Sequence, residues 1–109
     1  MHLDHNLDGR SEKRLDLAIV VRLSRMKHWP ANGDERTYTD NVSTHGARVV
    51  SRHPWQPGDQ AQVTPLKEEA PIRGKVVYCQ RLDVDRYGVG LRFLERPVMW
   101  SMFRAYARP

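Results

Sequence analysis

Cysteine is almost missing: Cys79 is the single one in 109 residues. No disulfide can close within the chain, so the fold must rest on an apolar core, and a reducing, cytoplasmic setting is expected. Met1-His2-Leu3-Asp4-His5 is polar and acidic, which is not signal-peptide character. No apolar run approaches the ~20 residues that cross a bilayer, so membrane insertion by a helix is excluded. Internal repeats and low-complexity tracts are absent as well, and the length suits one domain. His2 and His5 lie close together but have no cysteine beside them to complete a metal set, so no metal is expected.

What is present is basic charge and alternation. Lys plus Arg is 18 against 13 acids, a formal net charge of +5, which favours an anionic partner. Residues 1–14 lack apolar periodicity and read as a flexible arm; residues 15–109 read as the folded domain. Leu15, Leu17, Ile19, Val21 and Leu23 alternate with Asp16, Ala18, Val20, Arg22 and Ser24, a half-buried strand. A short strand follows over Arg36 to Thr39, and a tight turn over Asn41 to Gly46. Ala47 and Val49 resume the alternation, His53 to Asp59 is a second turn, and Ala61 and Val63 mark a fourth strand. Ile72, Gly74, Val76 and Tyr78 are expected inward on a fifth strand, with Arg73, Lys75 and Val77 outward. Asp83 to Gly88 reads as a connection before a sixth strand over Val89, Leu91 and Phe93.

Pro97 suits a helix start, and Met99, Phe103 and Tyr106 at helical spacing predict a short C-terminal helix lying on the core. Six strands with short turns and no alternating helices predict an all-β fold, an antiparallel barrel whose closure removes unpaired edges.

Two short constellations stand out. Arg10-Ser11-Glu12-Lys13-Arg14 puts two arginines four apart just before the first strand, and each guanidinium offers a planar fork for phosphate or a guanine edge. Alone, the run reads more readily as a solvated charged tail. Asn41-Val42-Ser43-Thr44-His45-Gly46 gathers short polar side chains that either contact a ligand or cap their own turn, with Gly46 permitting a positive φ or a close backbone approach.

In combination they resemble the signature of the PilZ domain family, bacterial receptors for the second messenger cyclic di-GMP: RxxxR in an N-terminal arm, then [DN]xSxxG at a strand junction. Arg10 and Arg14 match the first element; Asn41, Ser43 and Gly46 match the second. Tyr87-Gly88-Val89-Gly90-Leu91-Arg92-Phe93-Leu94 is similar to the family's final strand. The resemblance spans Arg10 to about Tyr106 and implies a six-stranded PilZ-like β-barrel that binds cyclic di-GMP as a ligand, without a cofactor. It implies that Arg10 and Arg14 grip guanines and phosphates, that Asn41 and Ser43 add polar contacts from the barrel surface, and that Gly46 leaves room. His45 and Arg48 are further candidate contacts; His45 reads also as a slight obstruction of the pocket or as indifferent to it, and Arg48 as a solvated surface side chain. The implied role is a non-enzymatic signalling adaptor that passes the nucleotide signal to an effector protein through ordering of its arm.

Other classes remain distinguishable. A barrel of this fold without nucleotide binding would be a pure interaction module. A basic barrel binding nucleic acid would need exposed aromatics interleaved with basic residues, and Tyr78 and Phe93 are expected inward. Asp40, Ser43 and His45 are residue types of a hydrolase relay, but they crowd into one turn without a nucleophile elbow. Cys79 reads as a structural thiol, and of Trp29, Trp55 and Trp100 two are expected to cap the core, with Trp55 the candidate for exposure.

Overall fold

The computed structural model describes residues 14–26, 34–67, 70–95, 97–98 and 100. Its strands are β1 (Val20–Arg25), β2 (Glu35–Val42), β3 (Gly46–Ser51), β4 (Gln60–Pro65), β5 (Ile72–Asp83) and β6 (Arg86–Phe93). All neighbours pair antiparallel, in the closed order β1-β2-β3-β6-β5-β4 with β4 returning to β1. The six-stranded antiparallel barrel is therefore as expected. The expected C-terminal helix falls almost wholly on residues outside those described, as do His2, His5, Arg10 and Trp29.

The alternation from Leu15 to Leu23 holds across its length, with the apolar set facing in. Regular pairing nonetheless begins only at Val20. Leu17 N–H donates to Leu15 O at 2.9 Å, a local kink that breaks the ladder. Thr39 bridges the break: its hydroxyl donates to Leu17 O (2.8 Å) and accepts from Ile19 N–H (3.0 Å). Below that kink the ladder resumes as a single bridge between Leu15 and Val42.

The turns follow their residue chemistry. Asp59 N–H donates to Gln56 O, with Pro57 and Gly58 (φ 97°) between them, so the bend has the form that requires a positive φ at its third residue. The stretch expected as a connection, Asp83 to Gly88, is instead a hairpin: Asp83 pairs with Arg86, leaving Val84 and Asp85 as the loop, and Gly88 lies within β6.

Val21, Leu23, Val42, Val49, Val63, Val76, Val89 and Leu91 fill the barrel. Trp55 and Trp100 close its two ends. Trp55 is buried, its Nε1–H on Ser51 Oγ (3.1 Å) and the Arg25 guanidinium stacked 4.2 Å from its ring centroid. Trp100 is buried beside Phe93, ring centroids 5.9 Å apart. Cys79 is half-buried and packs against the core.

Candidate functional site

Two β-bulges decide which side chains reach the outer wall. Between β2 and β3 the pairing runs Thr39↔Val49 and then Asn41↔Arg48, so Asp40 is an extra residue. Strict alternation would send Asn41 inward with Thr39. The bulge resets the phase: Thr39 and Val42 are fully buried while Asp40 and Asn41 between them are only half-buried. Between β5 and β6 the pairing runs Val76↔Leu91 and then Tyr78↔Gly90, so Val77 is the extra residue. Tyr78, expected inward, is consequently exposed, and Cys79 takes the inward position behind it. Phe93 does face the core.

With both bulges in place, Asn41, Arg48, Gly90 and Tyr78 stand in register across β2, β3, β6 and β5. Gly90 carries no side chain because the Tyr78 ring lies over it; a β-carbon there would collide with the ring. Gly88 is covered in the same way by the Arg48 guanidinium. Arg48 Nε sits 3.1 Å from Asp40 Oδ2, a Coulombic contact not aligned as a hydrogen bond. The remaining oxygens, Asp40 Oδ1 and Asn41 Oδ1, are shielded from solvent with no hydrogen-bond partner. Such an orphaned acceptor costs about 1–3 kcal/mol. Sequence reasoning missed Tyr78 as a wall residue, because alternation alone does not reveal a bulge.

The turn after β2 is Ser43–His45 rather than the longer Asn41–Gly46 span, since β2 continues through Val42. Ser43 is buried; its N–H and hydroxyl both point to Gly46 O, at 2.9 and 3.3 Å. The three carbonyls of this turn are each taken by the end of β6 or the chain that follows it: His45 O by Phe93 N–H (2.9 Å), Thr44 O by Val98 N–H (2.8 Å) and Ser43 O by Trp100 Nε1–H (2.9 Å). His45 Nδ1 lies 3.3 Å from Thr44 Oγ1. Gly46 has no positive φ; a β-carbon there would stand 2.5 Å from Leu91 O, so the glycine is required by the approach of β6. The carboxylate of the Asp40, Ser43 and His45 set faces Arg48.

The arm enters beside this turn. Leu15 and Val42 exchange two backbone hydrogen bonds, both 2.9 Å, in an antiparallel bridge, so Asp16 lies opposite Asn41 and Arg14 opposite Ser43. Arg14, exposed, is the next residue outward. The structure thus brings Arg14, Asn41 and Arg48 to one region, with Ser43 and Gly46 building its floor. Away from it, at the β5–β6 hairpin, Arg86 donates to Asp83 Oδ2 (2.8 Å) and to the Tyr38 hydroxyl (3.3 Å). That first hydrogen bond holds the Asp83 carboxyl below the ordinary aspartate range and raises Arg86. Among the described residues no group of His, Cys, Asp or Glu could hold a metal, and no helix is long and apolar enough to cross a membrane.

The model of the PilZ domain family matches residues 8–98, a span that includes both arm arginines and the whole Asn41–Gly46 motif. Among solved structures the chain is similar to the Bacillus subtilis inhibitor of motility (MotI/DgrA), with a TM-score of 0.61 and 18% identity. The match covers 83% of this chain and 44% of that one, so this chain spans less than half of that protein's length, and the likeness is one of fold. The curated proteins contain no match.

Proposed function

The chain belongs to the PilZ domain family, and from that premise we propose that it is a cyclic di-GMP receptor in which Arg10 and Arg14 close the nucleotide against the wall of Asn41, Arg48 and Tyr78. What supports this reading is the antiparallel Leu15–Val42 bridge, which brings the chain onto the motif with Arg14 opposite Ser43, two residues along from Asn41.

Each group has a chemical counterpart in the ligand. The arginine forks suit phosphate oxygens and the O6/N7 edge of guanine. The unpartnered Asn41 Oδ1 is an acceptor for guanine N–H donors, which would remove its desolvation cost. The exposed Tyr78 ring, held flat over Gly90, offers a stacking face. Ser43 acts through the turn that positions Asn41 and Gly46. Binding needs no covalent step and no cofactor.

The magnitudes are compatible. Ordering about five arm residues costs on the order of 5–10 kcal/mol. One charge-assisted hydrogen bond, worth about 1.5–3 kcal/mol, does not offset that; two bidentate arginines with base stacking do. Ligand binding in this reading lays residues 1–14 on the wall and changes the surface that a cytoplasmic effector protein meets. Calorimetric titration tests it: Arg14→Ala should abolish or strongly weaken cyclic di-GMP binding, and wild-type affinity in that variant would end the clamp. Hydrogen exchange over residues 1–14 should slow on saturation; unchanged exchange would end the switch.

A further inference from the structure

The outer wall carries a second cationic feature that the arginine arm and the Asn41–Gly46 motif do not use. Lys75 on β5 and Arg92 on β6 are directly paired across the ladder, both exposed. Their row reads Gly46, Arg92, Lys75, Gln60 across β3, β6, β5 and β4, with no acid in it. Among the described residues, the acids nearest these strand ends are engaged elsewhere: Glu95 lies 3.6 Å from Arg73, and Asp59 lies 3.4 Å from Arg25 while accepting from Gln56 N–H. Like charges opposite one another in a sheet are unfavourable. Among the described residues, therefore, no acid pairs with these two cations, which stand side by side against their mutual repulsion.

Their placement gives that arrangement a use. The row lies two residues along β3 and β6 from Arg48 and Gly90, and three along β5 from Tyr78 because of the extra Val77, on the same face and about 7 Å away. Gly46, beside Arg92, has no side chain to cover it. A cyclic dinucleotide carries two phosphates on opposite sides of its ring. A ligand stacked on Tyr78 with one phosphate toward Arg48 and Arg14 directs the other across the wall.

We propose that Lys75 and Arg92 form a second anion subsite, which takes a phosphate of the cyclic dinucleotide; this rests on the receptor reading above. Arg92 supplies a planar fork and Lys75 a point charge, a pair suited to a phosphodiester. The ligand thereby relieves the repulsion between the two cations.

A matched control exists within the same barrel. Arg22 and Arg36 are also paired across strands, on β1 and β2, but Arg22 has Asp34 at 4.0 Å. The test is calorimetric titration of cyclic di-GMP at two salt concentrations into wild type, K75Q/R92Q and R22Q/R36Q, which lose equal net charge. K75Q/R92Q should bind about tenfold or more weakly, with a shallower salt dependence, while R22Q/R36Q stays within about twofold of wild type. Thermal melting separates binding from folding: K75Q/R92Q should melt at or about 1–5 °C above wild type, because a repulsion is removed. Equal affinities and salt slopes for the two double variants overturn the subsite while leaving the receptor reading intact. No binding by any of the three proteins, wild type included, overturns both.

Discussion

Gly46→Ala tests whether the motif glycine serves the barrel or only the ligand. A β-carbon at that position stands 2.5 Å from the carbonyl oxygen of Leu91, roughly an ångström inside ordinary contact. The obstacle is backbone, so no rotamer change relieves it. β3 and β6 must separate where Gly46 pairs with Arg92, straining the neighbouring Ala47↔Leu91 pair. Overpacking of this kind costs about 1–3 kcal/mol, which for a domain of this size lowers the melting midpoint by roughly 5–15 °C. Gly90→Ala is the internal comparison. There the obstacle is the Tyr78 ring, a side chain that can rotate away. Its stability cost should stay below about 1 kcal/mol, while displacement of the ring weakens nucleotide binding. Both variants are read by thermal melting without ligand and then by titration. A ligand-free Gly46→Ala protein melting with wild type would refute the assignment of this glycine to strand approach.

Three further outcomes follow from the same contacts. Trp100→Phe removes the N–H that Ser43 O accepts and should cost about 1 kcal/mol beyond the loss of ring area, visible as a lower midpoint in urea; an unchanged midpoint would mean that the turn does not depend on this tail. Asn41→Val removes a shielded oxygen with no partner and adds a β-branched residue to a strand, so stability should hold or rise by up to about 1 kcal/mol while cyclic di-GMP affinity falls; a clear loss of stability would show that Asn41 is structural. Asp83 titrates low because Arg86 donates to it, so its pairing contribution is complete above the unfolded aspartate value and disappears as pH falls through the lower folded one. A carboxyl carbon titration by NMR should give a depressed midpoint that Arg86→Gln restores. Global stability should barely respond, since both groups are exposed.

The barrel was legible in the sequence because alternation and turn residues are local. Leu15 to Leu23, Ala47 to Val49 and Ala61 to Val63 each report their own face, and Pro57-Gly58 reports its own bend. What escaped depends on partners far along the chain. Tyr78 reads as a core residue until β6 is beside it and the extra residue Val77 is counted. The hairpin at Val84 and Asp85 was hidden because its strands carry charge on both sides of the loop. Gly46 was legible as a special position, but whether a positive φ or a close neighbour demanded it depended on Leu91, 45 residues away. Trp55 lies inside because the Ser51 hydroxyl satisfies its indole N–H, a partner that only the fold supplies. Arg14 arrives opposite Ser43 and Asn41 stands in register with Arg48, placements that depend on strand pairing rather than on motif order, while Ser43 serves the turn from within.

The central claim is that the wall from Arg14 to Tyr78 holds a cyclic dinucleotide. It is tested most directly by titrating cyclic di-GMP into isotope-labelled protein, with linear GMP and cyclic di-AMP as controls. Saturable shifts at Arg14, Asn41, Arg48, Gly90 and Tyr78, produced by cyclic di-GMP well before either control, are the predicted result. Silence at those five positions at saturating ligand, or shifts confined to the Trp55 end of the barrel, would contradict it.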